Sequence, residues 1–300
     1  MARLARDHVA VTVPATSANL GPGFDALGLA LDITDRIEVR ATTGATRVTV
    51  TGSGAGTLPD GEDHLVVRAI RIGLDHVGAP QAGLELSCRN RIPHGRGLGS
   101  SAAAVVAGLV AARGLVDEPE ALDDRAVLAL ATEIEGHPDN AAPALHGGAT
   151  VAWTGADGPA AASIDVGTFI QPTVLVPPGA LLTHEARSVL PHRVSHADAA
   201  FNAGRAALLV VALGRRPDLL LAATEDRIHQ RQRAAVMAES LQVVDTMREL
   251  GLPAVVSGAG PSVLVLTRTS EAQVATFVRH GWQVHVPTVA THGAQIVAPA

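Results

Sequence analysis

The chain has 300 residues, of which 47% are apolar, and a formal net charge of -6, which predicts a globular protein with one large core or two smaller ones. The acidic balance, without a basic cluster, argues against nucleic acid as the main partner, because duplex binding requires a positively charged face. The first 20 residues lack the apolar core and cleavage site typical of a secretion signal, and no uninterrupted apolar run reaches about 18 residues, so we expect a cytoplasmic protein that acts on small molecules and not on a membrane.

The first half of the chain alternates between strand and helix patterns. Alternating apolar and polar residues predict strands, and apolar residues at helical spacing predict helices. Residues 8–41 predict two strands joined by a glycine-rich loop from Pro14 to Gly23; the elements that follow are strands at 47–54 and 83–92, helices at 62–78, 99–116 and 123–136, and a loop, short buried helix, glycine turn and strand over 137–153.

The second half is richer in helix, and the whole pattern indicates the α+β class. Residues 155–167 have the composition of a linker, so we expect a domain boundary near residue 168 and two domains, 1–168 and 169–300. Beyond this point the sequence predicts a strand at 172–178, helices at 195–214, 217–232 and 234–251, and strands at 254–260, 262–267 and 283–287.

Missing residue types exclude several chemistries. All 23 basic residues are arginines, and lysine is absent, so a P-loop lysine, a Schiff base and a Ser-x-x-Lys acyl transferase are excluded. Tyrosine is absent too. The single Cys88 lies in a strand pattern and is expected to be buried and inert. His192 and His196 have metal-ligand spacing but no third ligand, and we expect no zinc site there.

A glycine-rich loop, "PHGRGLGSSAA", precedes the helix at 99–116. Such a loop exposes backbone N–H groups and the positive end of a helix dipole, which bind anions without a lysine. The alternative is an ordinary strand-to-helix turn that a serine caps. A dinucleotide fingerprint fits poorly, because the loop does not follow the first strand. The predicted phosphate contacts are Pro93, His94, Gly95, Arg96, Gly97, Leu98, Gly99, Ser100, Ser101, Ala102 and Ala103.

This loop resembles the ATP loop of the GHMP family of small-molecule kinases. "PATSANLGPGFDALGLAL" is similar to the family's first motif and "VVSGAGPSVLVL" to its third, in the family's order and over nearly the whole chain. The resemblance implies a two-domain fold, with an N-terminal domain like domain 2 of ribosomal protein S5 and a ferredoxin-like C-terminal domain. It also implies ATP and Mg²⁺ as cofactors.

Within the family, "PATSANLGPGFD" and "EGHPDNAAPALHGG" are similar to the branch that phosphorylates L-homoserine in threonine synthesis. That resemblance implies substrate contacts from Asn19, Asp25, Thr183, Arg187 and Arg233. Arg231 is an alternative to Arg233, since this chain lacks the Pro-Tyr pair usual before the arginine. For Thr183, a helix N-cap is the simpler role.

The catalytic candidates are Asp139, Asn140 and Glu135. Asp139 is the one nominated base, or else a partner for the substrate ammonium. Magnesium is expected on Glu135 with Ser100, and Glu133 is the alternative carboxylate. The function predicted from this pattern is an ATP-dependent kinase. A GHMP kinase for another small alcohol, such as mevalonate or a sugar, and a binding protein without catalysis are the alternatives, and a homodimer is left open.

Overall fold

A computed structural model describes residues 2–299, which fold around two β-sheets. The first sheet has the order β11-β1-β2-β4-β3, with β5 also paired to β2 and β6 paired to β5. Its strands are β1 His8–Ala18, β2 Leu27–Thr42, β3 Arg47–Gly52, β4 Gly83–Asn90, β5 Ala149–Gly155, β6 Gly158–Ile164 and β11 Gln295–Val297. The strands of the second sheet are β7 Thr173–Val176, β8 Ala254–Val256, β9 Val263–Val265 and β10 Gln283–His285.

Four helices of the first half accompany the first sheet: α1 Leu65–His76, α2 Ser100–Leu115, α3 Asp124–Glu135 and α4 Ala141–His146. Helix α2 is the central one, because most of its alanine, valine and leucine side chains are buried between β1 and the neighbouring helices. Burial on all sides is what an apolar helix without a polar face requires. This packing fixes the N terminus of α2 relative to the sheet.

The second sheet has the order β10-β7-β9-β8 with antiparallel pairing throughout, which is the order of a ferredoxin-like βαββαβ unit. The helices of this half are α5 Thr183–Ser188, α6 His196–Arg215, α7 Leu220–Ala223, α8 Ala234–Glu249 and α9 Glu271–Arg279, with 3₁₀ turns at Pro217–Leu219 and Arg231–Arg233; a further 3₁₀ turn, Pro119–Leu122, lies between α2 and α3 in the first half. The α+β class and the two-part architecture are therefore confirmed.

Several elements differ from the sequence predictions. The linker-like stretch contains strand β6, whose alanines pair with β5, and alanine-rich composition concealed it. The helix predicted at 217–232 is broken after Ala223, because the carboxylate of Asp226 accepts backbone N–H groups from Ile228, His229 and Gln230 and stabilises a turn. Helices α5 and α9 and strand β11 were not predicted.

The expected boundary at residue 168 lies between β6 of the first sheet and β7 of the second, and it stays a prediction. The last strand, β11, pairs with β1 at Thr12↔Gln295, so the chain returns to the first sheet.

Helix α6 is the one described helix that is long and apolar enough to cross a membrane by length and composition. A single helix of this length and composition is weak evidence for a membrane span, and one side of α6 packs in the protein core through Leu209, Ala212 and Leu213. Its Arg205 also forms a salt bridge with Glu225.

Candidate active site

A cavity of about 640 Å³ lies where the three glycine-containing motifs of the sequence meet. Its walls come from the loop after β1, the segment before and at the start of α2, the α3–α4 connection, and α5. The predicted residues that line it are Asn19, His94, Gly95, Arg96, Gly97, Gly99, Ser100, Ser101, Ala102, Glu135, Asp139, Asn140, Thr183, Arg187 and Arg233. The structure thus brings together residues that are far apart in the sequence.

The glycine-rich loop forms the floor of this cavity. Gly95, Gly97 and Gly99 all have positive φ, between 65° and 71°, a conformation that favours glycine. A Cβ atom on Gly99 would also overlap the hydroxyl of Thr16. Among the described residues no side chain caps α2, whose N-cap is Gly99, so the predicted serine cap is absent. The N terminus of α2 therefore faces the cavity without a side-chain cap, which is the geometry that binds anions at other helix N termini.

The third motif holds this loop in place. The hydroxyl of Ser257 donates to the carbonyl of Gly97 at 2.6 Å, so its contact with the hydroxyl of Ser17 at 2.8 Å is one in which Ser17 donates. The backbone N–H of Gly258 donates to the carbonyl of Ala18 at 3.0 Å. These bonds link the first and second motifs through the turn after β8, so the sheets of both halves define the loop's geometry.

Not every residue predicted to contact phosphate faces the cavity. Leu98 and Ala103 are buried in the core, and these two residues and Pro93 are outside the cavity lining. The guanidinium of Arg96 donates to the carbonyls of His94, Pro177 and Pro178. Arg96 therefore ties the loop to the segment after β7, a role that the sequence did not indicate.

Opposite charges meet beside the cavity, where the lining residue Arg187 pairs with Asp25, a predicted substrate contact that is outside the lining itself. The guanidinium of Arg187, on α5, donates to both carboxylate oxygens of Asp25, at 2.5 and 3.1 Å. Asp25 and Asn19 both have positive φ, 55° and 68°, which is a strained conformation for residues other than glycine. The side chain of Asn19 holds this loop, because it donates to Gly258 and accepts from the N–H of Asp25.

Arg233, and not Arg231, lines the cavity. Arg233 is 1% exposed and donates to the carbonyl of Ala186 at 3.0 Å. Burial, followed by the nearby positive charge of Arg187, lowers the pKa of Arg233 to about 10. Arg231 lies on the surface and pairs with Asp245. The two positions diverge because they point in different directions from a 3₁₀ turn.

Asp139 and Asn140 also line the cavity, together with His137, a histidine that was not predicted. Asp139 is 1% exposed and its Oδ1 is 2.7 Å from Nδ1 of His137. Burial is the largest influence and lowers the pKa of His137, but the hydrogen bond to Asp139 and the negative charge of Asp139 together outweigh it, so the pKa of His137 is raised. The side-chain amide oxygen of Asn140 accepts a hydrogen bond from the hydroxyl of Thr16 at 2.8 Å.

Glu135 faces the cavity, whereas Glu133 is exposed to solvent. The hydroxyl of Ser101 donates to Glu135 at 2.6 Å. Ser100, which was expected to share a metal ion with Glu135, instead lies 3.4 Å from the ring of His94. Consecutive helix positions point about 100° apart, so only one serine can reach Glu135. Burial raises the pKa of the Glu135 carboxyl.

The remaining predicted residues occupy clear positions. Thr183 lines the cavity as the first residue of α5, whose N-cap is Leu182, so the simpler N-cap role of Thr183 is wrong. His192 and His196 are exposed, and residues 2–299 contain no group of three or more His, Cys, Asp or Glu that could hold a metal by themselves. Cys88 is buried, which raises the pKa of its thiol to about 12.

A second, mainly apolar cavity of about 230 Å³ adjoins the loop and shares His94, Ser100 and Ser101 with the first. Sequence reasoning missed it, because its walls come from separate strands and loops. The other residues that line it are Asp35, Ile37, Leu58, Pro59, Asp63, His64, Leu65, Val66, Asn90, Ile92 and Ala104.

Asp35 is a buried carboxylate in this wall, and its replacement should stabilise the protein. It accepts the N–H groups of Arg91 and Ile92 at 2.6 and 2.8 Å, but burial raises its pKa to about 6. Ionised Asp35 therefore costs stability above its folded pKa, by up to about 3 kcal/mol. An Asp35→Asn variant keeps both acceptor bonds without this cost, so we expect its Tm to exceed that of wild type by several degrees at pH 7.5.

Thermal unfolding at pH 7.5 and at pH 4 checks this expectation. The advantage should shrink to a small fraction at the lower pH, because Asp35 is then protonated in the folded chain and, with an ordinary pKa of 3.8, already partly protonated in the unfolded chain. An equal difference in Tm at both pH values would contradict an electrostatic origin.

Comparison with known proteins agrees with this geometry. Residues 64–148 match the family model of the GHMP kinases N terminal domain, and residues 207–283 match that of the GHMP kinases C terminal domain. The chain belongs to the GHMP kinase family, and it is an ATP-dependent kinase of small molecules.

Individual relatives are similar over nearly the full chain. The homoserine kinase of Streptomyces avermitilis is 51% identical over 96% of this chain and 95% of that protein. The homoserine kinase of Streptomyces coelicolor is 55% identical over 88% of this chain and 86% of that protein. The crystal structure of homoserine kinase from Cytophaga hutchinsonii superimposes with a TM-score of 0.83, at 27% identity and 98% coverage of both chains.

Proposed function

We propose that this chain transfers the γ-phosphoryl group of ATP to the side-chain hydroxyl of L-homoserine, giving ADP and O-phospho-L-homoserine for threonine synthesis in the cytoplasm. The observation that carries the proposal is that Arg187 and Arg233 line the same cavity as the glycine-rich loop, and that Arg187 is paired with Asp25. An α-amino acid presents an ammonium and a carboxylate, which are complementary to these charges.

The free protein already pairs the charges that the substrate would meet. Asp25 and Arg187 bind each other, so a zwitterion can separate them only by giving each a new partner: its ammonium for Asp25, and its carboxylate for Arg187 and Arg233. A ligand with one charge would leave the other protein charge unpaired, which is costly in a partly buried site. This argues for an amino acid over mevalonate or a sugar as the acceptor.

ATP fits the two adjoining cavities. The phosphates would lie on the N–H groups of the loop and of the first turn of α2, and the apolar second cavity would hold the adenine ring. His94, Ser100 and Ser101 lie at the junction, where a nucleoside leads from base to phosphate. The polar groups of Asp35, Asp63 and Asn90 line the same cavity and offer acceptors for an exocyclic amine.

Reducing the second cavity should weaken ATP binding selectively. Ala104 on α2 lines it, and the larger side chain of Ala104→Leu would occupy space that the base needs. We expect the KM for ATP to rise about tenfold and the KM for homoserine to change less than about twofold. Ala203→Leu, at an exposed position of α6, is the control. Equal KM values for ATP in Ala104→Leu and wild type would place the base elsewhere.

The residues present fit Mg²⁺. Glu135 and Ser101 supply a carboxylate and a hydroxyl beside the phosphate loop, and Mg²⁺ typically takes one or two carboxylates together with phosphate oxygens and water. The raised pKa of the Glu135 carboxyl marks a buried charge that a cation would stabilise. When bound, the ion would supply positive charge to the phosphates.

The protein's own residues position the acceptor for transfer. The hydroxyl oxygen bonds to the γ-phosphorus as the bond from that phosphorus to the β–γ bridging oxygen breaks, and the hydroxyl proton is released. Asp139, next to Asn140 in the cavity lining, is the carboxylate nominated to accept this proton. A loose transition state nevertheless requires little help from a base. Asp139 also favours the protonated form of His137, which adds positive charge near the phosphates.

Release of ADP in the presence of ATP and Mg²⁺ tests the proposal. L-homoserine should support turnover well above L-serine, mevalonate, galactose, 4-hydroxybutyrate and 3-amino-1-propanol, the last two of which each lack one charge of the zwitterion. Turnover of mevalonate alone would overturn the substrate assignment, and no turnover with any acceptor would indicate a binding protein.

A further inference from the structure

His229 is a fully buried histidine outside the predicted site residues, and both of its ring nitrogens are paired. Nε2 lies 2.6 Å from the carbonyl oxygen of Gly21, and Nδ1 lies 2.7 Å from Nη1 of Arg233. A carbonyl only accepts and a guanidinium only donates hydrogen bonds. Nε2 must therefore carry the proton while Nδ1 accepts from Arg233, which defines a single neutral tautomer.

The two partners of His229 belong to opposite sides of the charge cluster. Gly21 lies in the loop that carries Asn19 and Asp25, and Arg233 is the buried arginine of the cavity. One imidazole ring thus joins the loop proposed to bind the ammonium to a guanidinium proposed to bind the carboxylate.

The face of the ring contributes to the same arrangement. His229 stacks on Phe24, with ring centroids 5.0 Å apart and planes 27° from parallel. The guanidiniums of Arg187 and Arg233 lie 5.6 and 5.8 Å from the centroid of the Phe24 ring, within the range of cation–π attraction. Both arginines therefore contact the same aromatic ring, that of Phe24. His229 stacks against this ring and so supports both contacts.

The backbone of His229 is fixed independently of the ring. Oδ2 of Asp226 accepts the N–H groups of His229 and Gln230 at 3.1 and 2.8 Å, and Oδ1 accepts from the side chain of Asn202 at 2.8 Å. Burial, opposed by the charge of Asp226 but assisted by that of Arg233, lowers the pKa of His229. A protonated ring would present an N–H donor to the donor of Arg233 and break the bond between them.

We propose that His229 is a positioning residue that orients the guanidinium of Arg233 to bind the carboxylate of the substrate. The inference rests on the proposed function, since it assumes that Arg233 contacts the acceptor. It assigns a task to a residue that contacts no substrate atom and acts through its Nδ1 lone pair.

Kinetics of His229 variants test the proposal. We expect His229→Ala to raise the KM for L-homoserine about tenfold or more, with the KM for ATP within about twofold of wild type. His229→Asn retains an acceptor close to the Nδ1 position, and His229→Gln retains a donor close to the Nε2 position. If the bond to Arg233 matters, asparagine should recover the KM for homoserine much better than glutamine.

A double-mutant cycle with Arg233→Ala separates positioning from general support of the fold. Adding His229→Ala to Arg233→Ala should change the KM for homoserine less than about twofold, because the arginine through which His229 acts is gone. The control is His280→Ala, at the exposed C-terminal end of α9.

Three results would overturn the inference: an unchanged KM for homoserine in His229→Ala with only a lower Tm, equal rises in both KM values, or better recovery by glutamine than by asparagine. Should the alanine variant fail to fold, the asparagine and glutamine variants still decide. Failure of the proposed function is distinguishable, because wild type itself would then not phosphorylate homoserine.

Discussion

Replacing Arg187 by alanine is expected to raise the KM for L-homoserine about 100-fold, equivalent to about 2.7 kcal/mol, and to leave the KM for ATP within about twofold of wild type. The guanidinium is half-buried and makes two bonds to Asp25 in the free protein. In the complex it would bind the substrate carboxylate, which Arg233 alone would then have to satisfy. Asp25 keeps its partner in the complex, the substrate ammonium, so the loss concerns mainly the carboxylate.

Steady-state kinetics with each substrate varied in turn measure this effect. Arg193→Ala is a matched control, since Arg193 follows α5 closely in the chain and is exposed. A similar rise in both KM values would show that Arg187 does not form the carboxylate site. With 3-amino-1-propanol, which lacks the carboxylate, the variant should differ little from wild type.

Glu135→Gln is expected to lower kcat about 1,000-fold, because glutamine offers no negative charge to the cation that neutralises the phosphates. Ser101→Ala should cost about tenfold, since water can replace one hydroxyl. Ser100→Ala should remain close to wild type, because Ser100 lies beside His94 and not beside Glu135.

Glu133→Gln is the matched control for this prediction, because Glu133 is on the same helix but faces solvent. The rates of all four variants should be measured at saturating ATP and homoserine over a range of Mg²⁺ concentrations. A loss in Glu133→Gln as large as that in Glu135→Gln would reject the assignment of the metal carboxylate.

The raised pKa of Glu135 adds a dependence on pH. Only the carboxylate form binds a cation, so activity should fall as the pH decreases through this raised pKa, above the usual range for a glutamate. The acid limb of the kcat/KM profile should therefore begin at a higher pH than an ordinary glutamate would give.

The local features of the site were predictable from the sequence, while the pairing of its members was not. Glycine favours backbone conformations with positive φ, so the glycines of the loop predict them, and Gly95, Gly97 and Gly99 do have positive φ. Which of Ser100 and Ser101 reaches Glu135 depends on the direction in which each side chain leaves α2. A one-residue difference in where the helix starts would exchange the two directions. Arg233 and Arg231 are the same residue type, so the sequence does not distinguish them. Only the 3₁₀ turn that contains both determines which side chain points toward the cavity.

Other features depend on contacts between distant segments. His137 acquires its role from Asp139 and from burial, and the second cavity exists only once β2, β4 and α2 are packed together. Within the fold, β6 was missed because alanine has little strand preference, and β11 because a three-residue strand has no detectable period.

The pairing of β11 with β1 has a consequence for biosynthesis. Thr12 and Gln295 are neighbours in the sheet, yet they are so far apart in the chain that a ribosome makes them about 15–60 s apart at ordinary elongation rates. Strand β11 has not yet been made while the rest of the first sheet is synthesised. One edge of β1 therefore stays unpaired during that time. We therefore expect the two halves to reach their final stability together, once β11 has been synthesised, and not one after the other.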